Sequence, residues 1–147
     1  MTALNILAAP LASPGVLDPE ALHDPKMRET LSGSAVRLFF KLADLWGLAV
    51  DQRRVLLGGI SRPTYHNWKN GKLGTLSRDQ LERVSLILGI HKGLKLVFAD
   101  DAAASRWLEA PNRDLPFGGA SPLDRALKGS IDDLYALRRY LDAWGLG

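Results

Sequence analysis

The chain has no cysteine. That absence removes disulfides, thiolate metal sites and a cysteine nucleophile together, and it fits a reducing, cytoplasmic location. A long apolar run is also missing. The apolar stretch within residues 1–17 has no basic start and is interrupted by Pro10 and Pro14, so neither export nor a membrane span is expected. Histidine is scarce, and His23, His66 and His91 stand at no ligand spacing, so no metal or other cofactor is expected. No segment shows strand alternation flanked by hairpin turns, which leaves an all-α fold. Catalytic constellations are absent too. Asp132-Asp133 reads as a helix N-terminal charge pair, and FGGAS (Phe117–Ser121) follows no strand, so its glycines are turn residues and the chain is not expected to be an enzyme.

What is present is an uneven distribution of charge. The net charge of +3 over 147 residues is modest, but its placement is informative. Residues 1–32 carry two Lys/Arg against four Asp/Glu, residues 33–99 eleven against four, and residues 100–147 six against eight. The basic middle fits a polyanion partner.

Within that middle lies GISRPTYHNWKNG, Gly59 to Gly71, which has loop composition and yet carries Tyr65 and Trp68. Two rings three residues apart share one face of a helix, and with Ile60 they form an apolar stripe. Ser61 is a good N-cap, Pro63 falls in the first turn where its missing N–H leaves no bond unmade, and Asn70-Gly71 tolerates the left-handed conformation that closes a helix. The opposite face carries Arg62, His66, Asn67 and Lys69 and no carboxylate. It suits an acidic, hydrogen-bonding partner.

The surrounding pattern divides the chain at 1–32, 33–99 and 100–147. Pro10, Pro14, Pro19 and Pro25 mark the first part as an arm, with a short helix around Asp18 to His23. From Ser34 the residues Val36, Phe39, Phe40, Ala43 and Trp46 recur at helical spacing and stop at Gly47. Asp51 to Leu57 forms a second helix, and Gly58-Gly59 turns the chain into the capped one. Another helix starts at Ser77, where Ser-Arg-Asp-Gln is a capping box. Gly89 is expected to end or kink it, with residues 91–98 as a separate piece. Beyond Trp107-Leu108, the loop PNRDLPFGGASP (Pro111–Pro122) leads to a short helix capped by Ser121. Ser130 with Asp133 then caps a last helix whose Leu134, Leu137, Leu141 and Trp144 lie on one stripe.

Two helices joined by a tight turn, the second rich in donors, meet the needs of a helix-turn-helix, whose second helix enters the DNA major groove. With Val55, Gly59, Ile60, Tyr65 and Trp68 in the small, turn and core positions, and S-x-x-T-x-x-x-W-x-N-G following, Ser34 to Phe98 resembles the Xre-type (Cro/repressor-like) DNA-binding domains. The resemblance implies base-contacting positions at Ser61, Arg62, Pro63, His66 and Asn67. Arg62 suits guanine O6 and N7, and Asn67 suits adenine N6 and N7. Pro63 departs from the pattern, since it offers only apolar contact. Thr64, Lys69 and Lys72 are placed as phosphate contacts, with Arg53 and Arg54 as further candidates. A homodimer on double-stranded operator DNA follows.

The order Arg106-Trp107-Leu108, Pro111-Asn112, Phe117-Gly118-Gly119, Ser121-Pro122-Leu123-Asp124, Gly129 and a closing helix near Trp144-Gly145 resembles the toxin-binding domain of the Xre/MbcA/ParS antitoxins. That resemblance implies a cognate toxin, usually a RES-domain enzyme that consumes NAD, covered at its active-site entrance by the antitoxin's C-terminal region. Tyr135, Arg138, Arg139, Tyr140 and Trp144 are the residue types suited to that contact. The rival reading is a stand-alone repressor whose C-terminal module serves dimerisation or effector sensing.

Overall fold

Seven α-helices and no strand occupy residues 20–146, the part of the chain that the computed structural model describes. After a 3-10 turn at Ala21–His23 come α1 (Pro25–Leu45), α2 (Val50–Leu56), α3 (Arg62–Lys69), α4 (Arg78–Val97), α5 (Asp101–Glu109), α6 (Pro122–Ala126) and α7 (Ile131–Leu146). The all-α expectation holds.

The first helix is longer than its periodicity indicates. It begins at Pro25, a first-turn position where a missing N–H costs no intrahelical bond, and the Asp24 carboxylate accepts from the Lys26 N–H at 3.0 Å. Residues 25–32 are therefore helical and not arm. Leu31 and Ser32 are buried, as is Leu22 just before the helix. Ser32 Oγ donates to the Arg28 carbonyl and accepts from the Leu76 N–H at 2.8 Å, which fastens the approach to α4 onto α1. The remainder of the expected arm, residues 1–19, lies outside the described residues.

The break expected at Gly89 is also absent. Helix α4 runs without interruption to Val97, starting from the Ser77 capping box that the sequence indicates. Gly89 and Gly93 lie four apart, hence on one face, and that face meets α7. A Cβ at Gly89 would overlap the Arg138 guanidinium, and one at Gly93 would stand 3.1 Å from Leu141 Cβ. These glycines allow close approach of two helices and do not terminate one.

Leu134, Leu137 and Leu141 of α7 are each 1 % exposed and join the apolar cluster that α1 and α4 share, so a contiguous core serves both halves of the described chain. Polar ties cross the same boundary. The buried Arg83 on α4 donates to Asp79 at 2.8 Å and to the Gly129 carbonyl at 3.0 Å. Tyr135 donates to Glu82 at 2.6 Å. Burial, then that bond to a carboxylate, pushes its phenol up to about 12, so it stays a donor at any physiological pH.

His91 on α4 is 5 % exposed and lines a cavity of about 310 Å³ with Trp46, Phe98 and Asp101. Burial, and then the Lys95 charge, holds its pKa below 6.5, with Asp101 opposing. The unfolded chain thus takes up this proton first as pH falls. Stability is full above pH 6.5 and declines below it, towards the lower folded pKa. Unfolding midpoints measured from pH 7.5 to 5 should fall on the acid side, and His91→Leu should flatten that part of the profile.

Candidate nucleic-acid interface and partner-binding face

The turn between α2 and α3 is set by backbone conformation. Gly58 and Gly59 have φ of 94° and 82°, a region closed to most L-residues, and their N–H groups reach the carbonyls of Val55 and Arg54. Helix α3 is then capped as expected. Ser61 Oγ accepts from the Thr64 N–H at 3.2 Å. At the far end Gly71 (φ 82°) and Lys72 return their N–H groups to Trp68 and Asn67, which satisfies the last turn. Tyr65 is 1 % and Trp68 9 % exposed, so both rings face the core. Tyr65 packs edge-on against Phe40 at 5.4 Å.

With the rings inward, Ser61, Arg62, Pro63, His66, Asn67, Lys69 and Lys72 are exposed, and Thr64 is half-buried. All eight expected DNA-contacting residues therefore sit on α3 or its flanks. Arg53 and Arg54 have another role. Arg53 donates to the Leu48 carbonyl and pairs with Asp44 at 2.9 Å, and Arg54 donates to the Ile60 carbonyl at 2.7 Å. Both brace the motif from within. Three charged residues that sequence reasoning passed over also face this region. Asp51 on α2 holds Arg62, whose Nη2 stands 2.9 and 3.0 Å from the two carboxylate oxygens. Arg37 and Lys41 on α1 line a groove of about 440 Å³ together with Lys69. Nothing local in the sequence signals that wall, because it depends on where α1 passes α3.

The C-terminal module is organised around Arg125. It reaches the Pro116 carbonyl at 2.7 Å and pairs with the buried Asp133 at 2.7 Å, joining the long loop, α6 and the start of α7. Asp133 also accepts from the Ser130 N–H, as the capping expectation requires. Of the five residues expected to meet a toxin, Arg139 is exposed, Trp144 is 45 % exposed and Tyr140 is half-buried. Tyr135 and Arg138 turn towards α4. Arg138 is 5 % exposed, fills the space above Gly89 and donates to Asp142 at 3.1 Å. Among the described residues there is no cluster of His, Asp and Glu able to hold a metal ion, and no helix is long and apolar enough to cross a membrane.

Comparison with known proteins agrees with this division. The family model of the antitoxin Xre-like helix-turn-helix domain matches residues 27–89, and that of the antitoxin Xre/MbcA/ParS C-terminal toxin-binding domain matches residues 94–145. The first match begins within α1 near Pro25, in line with the long helix. A protein of Sinorhizobium fredii (strain NBRC 101917 / NGR234), called "Uncharacterized protein y4oB", is 45 % identical over 105 residues, which cover 71 % of this chain and 79 % of that protein. No solved structure matches the chain. A helix-turn-helix continued by one shared helix into a second helical module agrees with those two families in that order: the chain belongs to the antitoxins that join an Xre-like helix-turn-helix domain to an Xre/MbcA/ParS C-terminal toxin-binding domain.

Proposed function

We propose that this antitoxin binds its own operator as a homodimer through α3, represses its operon, and neutralises a RES-domain, NAD-consuming toxin through α7. The observation that carries the DNA half is the orientation of α3, with Tyr65 and Trp68 buried and an acid-free donor face turned to solvent. In this reading Arg62 and Asn67 read base edges, Ser61, Pro63 and His66 follow the groove, and Thr64, Lys69 and Lys72 hold phosphates. Arg37 and Lys41 extend the phosphate contacts along α1. The half-sites lie about one helical turn apart, or a multiple of that.

The Arg62–Asp51 pair is exposed on both sides, which limits it to about 1 kcal/mol or less. A bidentate arginine–guanine contact discriminates by about 1–3 kcal/mol, so the base takes Arg62 from the carboxylate. Arg62→Ala should therefore flatten preference at one base pair by that amount, while Lys69→Gln weakens all sequences alike and lowers the log–log salt slope by about 0.9. Fluorescence anisotropy against single-base operator variants measures both. An Arg62→Ala protein that keeps its full ranking of operator variants means that α3 does not read the bases.

On the toxin side, Arg139, Tyr140 and Trp144 form the contact, with Tyr135 and Arg138 holding α7 in place from behind. Co-expression with the product of the adjacent gene tests this half. Growth arrest by that product alone, relieved by the antitoxin and not by Trp144→Ala, is the expected result. A harmless neighbour would leave a repressor with no toxin to neutralise.

A further inference from the structure

We propose that the cleft between α5, the loop that follows it and α7 receives one guanidinium side chain of the partner protein. The cleft is about 530 Å³ and open, and Trp107, Asn112, Asp114, Tyr140, Ala143 and Trp144 line it. The identity of the partner rests on the toxin-binding reading above. The chemistry of the occupant comes from the cleft itself.

Three of the walls are aromatic. Trp107 and Tyr140 are nearly parallel, 21° apart with centroids at 5.8 Å, and Trp144 stands 5.8 Å from Trp107 and 6.0 Å from Tyr140. Phe117 and Phe98 back these rings at 4.9 Å from Tyr140 and 5.6 Å from Trp144. A cluster this well supported holds Trp144 in position although 45 % of it is exposed. Ala143 between Tyr140 and Trp144 adds almost no bulk, which leaves the space between the rings open.

Among the described residues that line the cleft, the one charged side chain is the Asp114 carboxylate. Its Oδ2 accepts from the Tyr140 hydroxyl at 2.8 Å, and its Oδ1 has no hydrogen bond within the described residues. Burial, followed by that bond to Asp114, raises the Tyr140 pKa, so the phenol remains the donor. Each class of occupant can be weighed against those walls. An aliphatic side chain would cover the rings but strip water from Asp114 without replacing it. An anion would meet both the carboxylate and the electron-rich ring faces. A planar cation satisfies both, stacking on the indoles within about 6 Å of their centroids while its N–H groups reach the open oxygen.

The test uses the full chain, 15N-labelled, and follows the indole N–H signals of Trp107 and Trp144 during titration with N-acetylargininamide, N-acetylnorleucinamide and N-acetylglutamate amide. Saturable shifts of both indoles by the arginine compound alone are expected. Asp114→Asn should weaken them about two- to fivefold, and Trp144→Ala should remove saturation at Trp107. An absence of saturation, an equal response to the norleucine compound, or indifference to Asp114→Asn overturns the proposal. No toxin is needed for this experiment. A negative titration alongside intact neutralisation in cells would sink the cleft alone, and a positive one with no neutralisation would sink the toxin reading alone.

Discussion

Tyr65→Ala should lower the stability of this protein by about 3–5 kcal/mol, the range for deleting a fully buried aromatic side chain. The ring is 1 % exposed and packs against Phe40, and the eight-residue helix that carries it is far too short to persist on its own. At about 3 °C per kcal/mol for a chain of this size, the unfolding midpoint should drop by about 10 °C or more. Operator binding should disappear with it, since the donors of α3 are placed only by the burial of its other face. Tyr65→Phe separates ring from hydroxyl. The hydroxyl accepts one long bond from Arg53 at 3.5 Å, so this variant should stay within about 1 kcal/mol of the parent and keep its operator affinity. Thermal unfolding followed by circular dichroism, with anisotropy on the operator, reads both. A Tyr65→Ala protein that melts with the parent and still binds would show that something other than the inward rings holds the helix.

Gly93→Leu should cost about 1–3 kcal/mol, the range for overpacking a close contact, and its damage should be local. Position 93 lies under α7, where even a first added carbon would be 3.1 Å from Leu141 Cβ, and the three further carbons of a leucine must press on Leu141 or turn into the open groove beside it that Leu96 and Arg138 also line. Either way the seat of Leu141 on α4 is disturbed. Gly93→Ala sets a crowded methyl against the roughly 1 kcal/mol by which alanine is preferred in a helix, and should be close to neutral. Tyr65 and Trp68, which position α3, take no part in this contact, so Gly93→Leu should keep operator binding while losing toxin binding. Loss of both would mean that the two halves of α4 unfold as one unit.

The legible parts of this molecule are those decided within a few residues. Ser61, Ser77 and Ser121 cap the helices they were expected to cap, because each bond spans three positions. Tyr65 and Trp68 face inward because spacing alone puts them on one side. Pro25 and Gly89 read poorly for a shared reason: each has two uses that look identical in sequence. A proline opens a helix as readily as it marks an arm, and a glycine lets a neighbouring helix approach as readily as it ends its own. Which use applies depends on Leu22 and Leu31 finding a core, and on α7 lying across α4.

For the candidate sites the division is similar. The eight positions on and beside α3 follow from one short segment, and all are reachable from outside. The C-terminal set is less regular, since the helical stripe orders residues around α7 without saying which side is covered. Coverage by α4 turns Tyr135 towards Glu82 and Arg138 towards Gly89, leaving Arg139 and Trp144 outside.

By itself the sequence determined the helical class, the caps and the inward rings of α3, which are written in spacings shorter than two helical turns, while the order of the two modules came from resemblance over longer stretches. Only the tertiary structure decided that α4 serves both modules, that Asp51 holds Arg62, and that Trp107, Asp114 and Trp144 meet around one cleft. Those are contacts between residues 11 to 37 positions apart or on different helices. Their distances are set by how the helices cross, which no local pattern encodes.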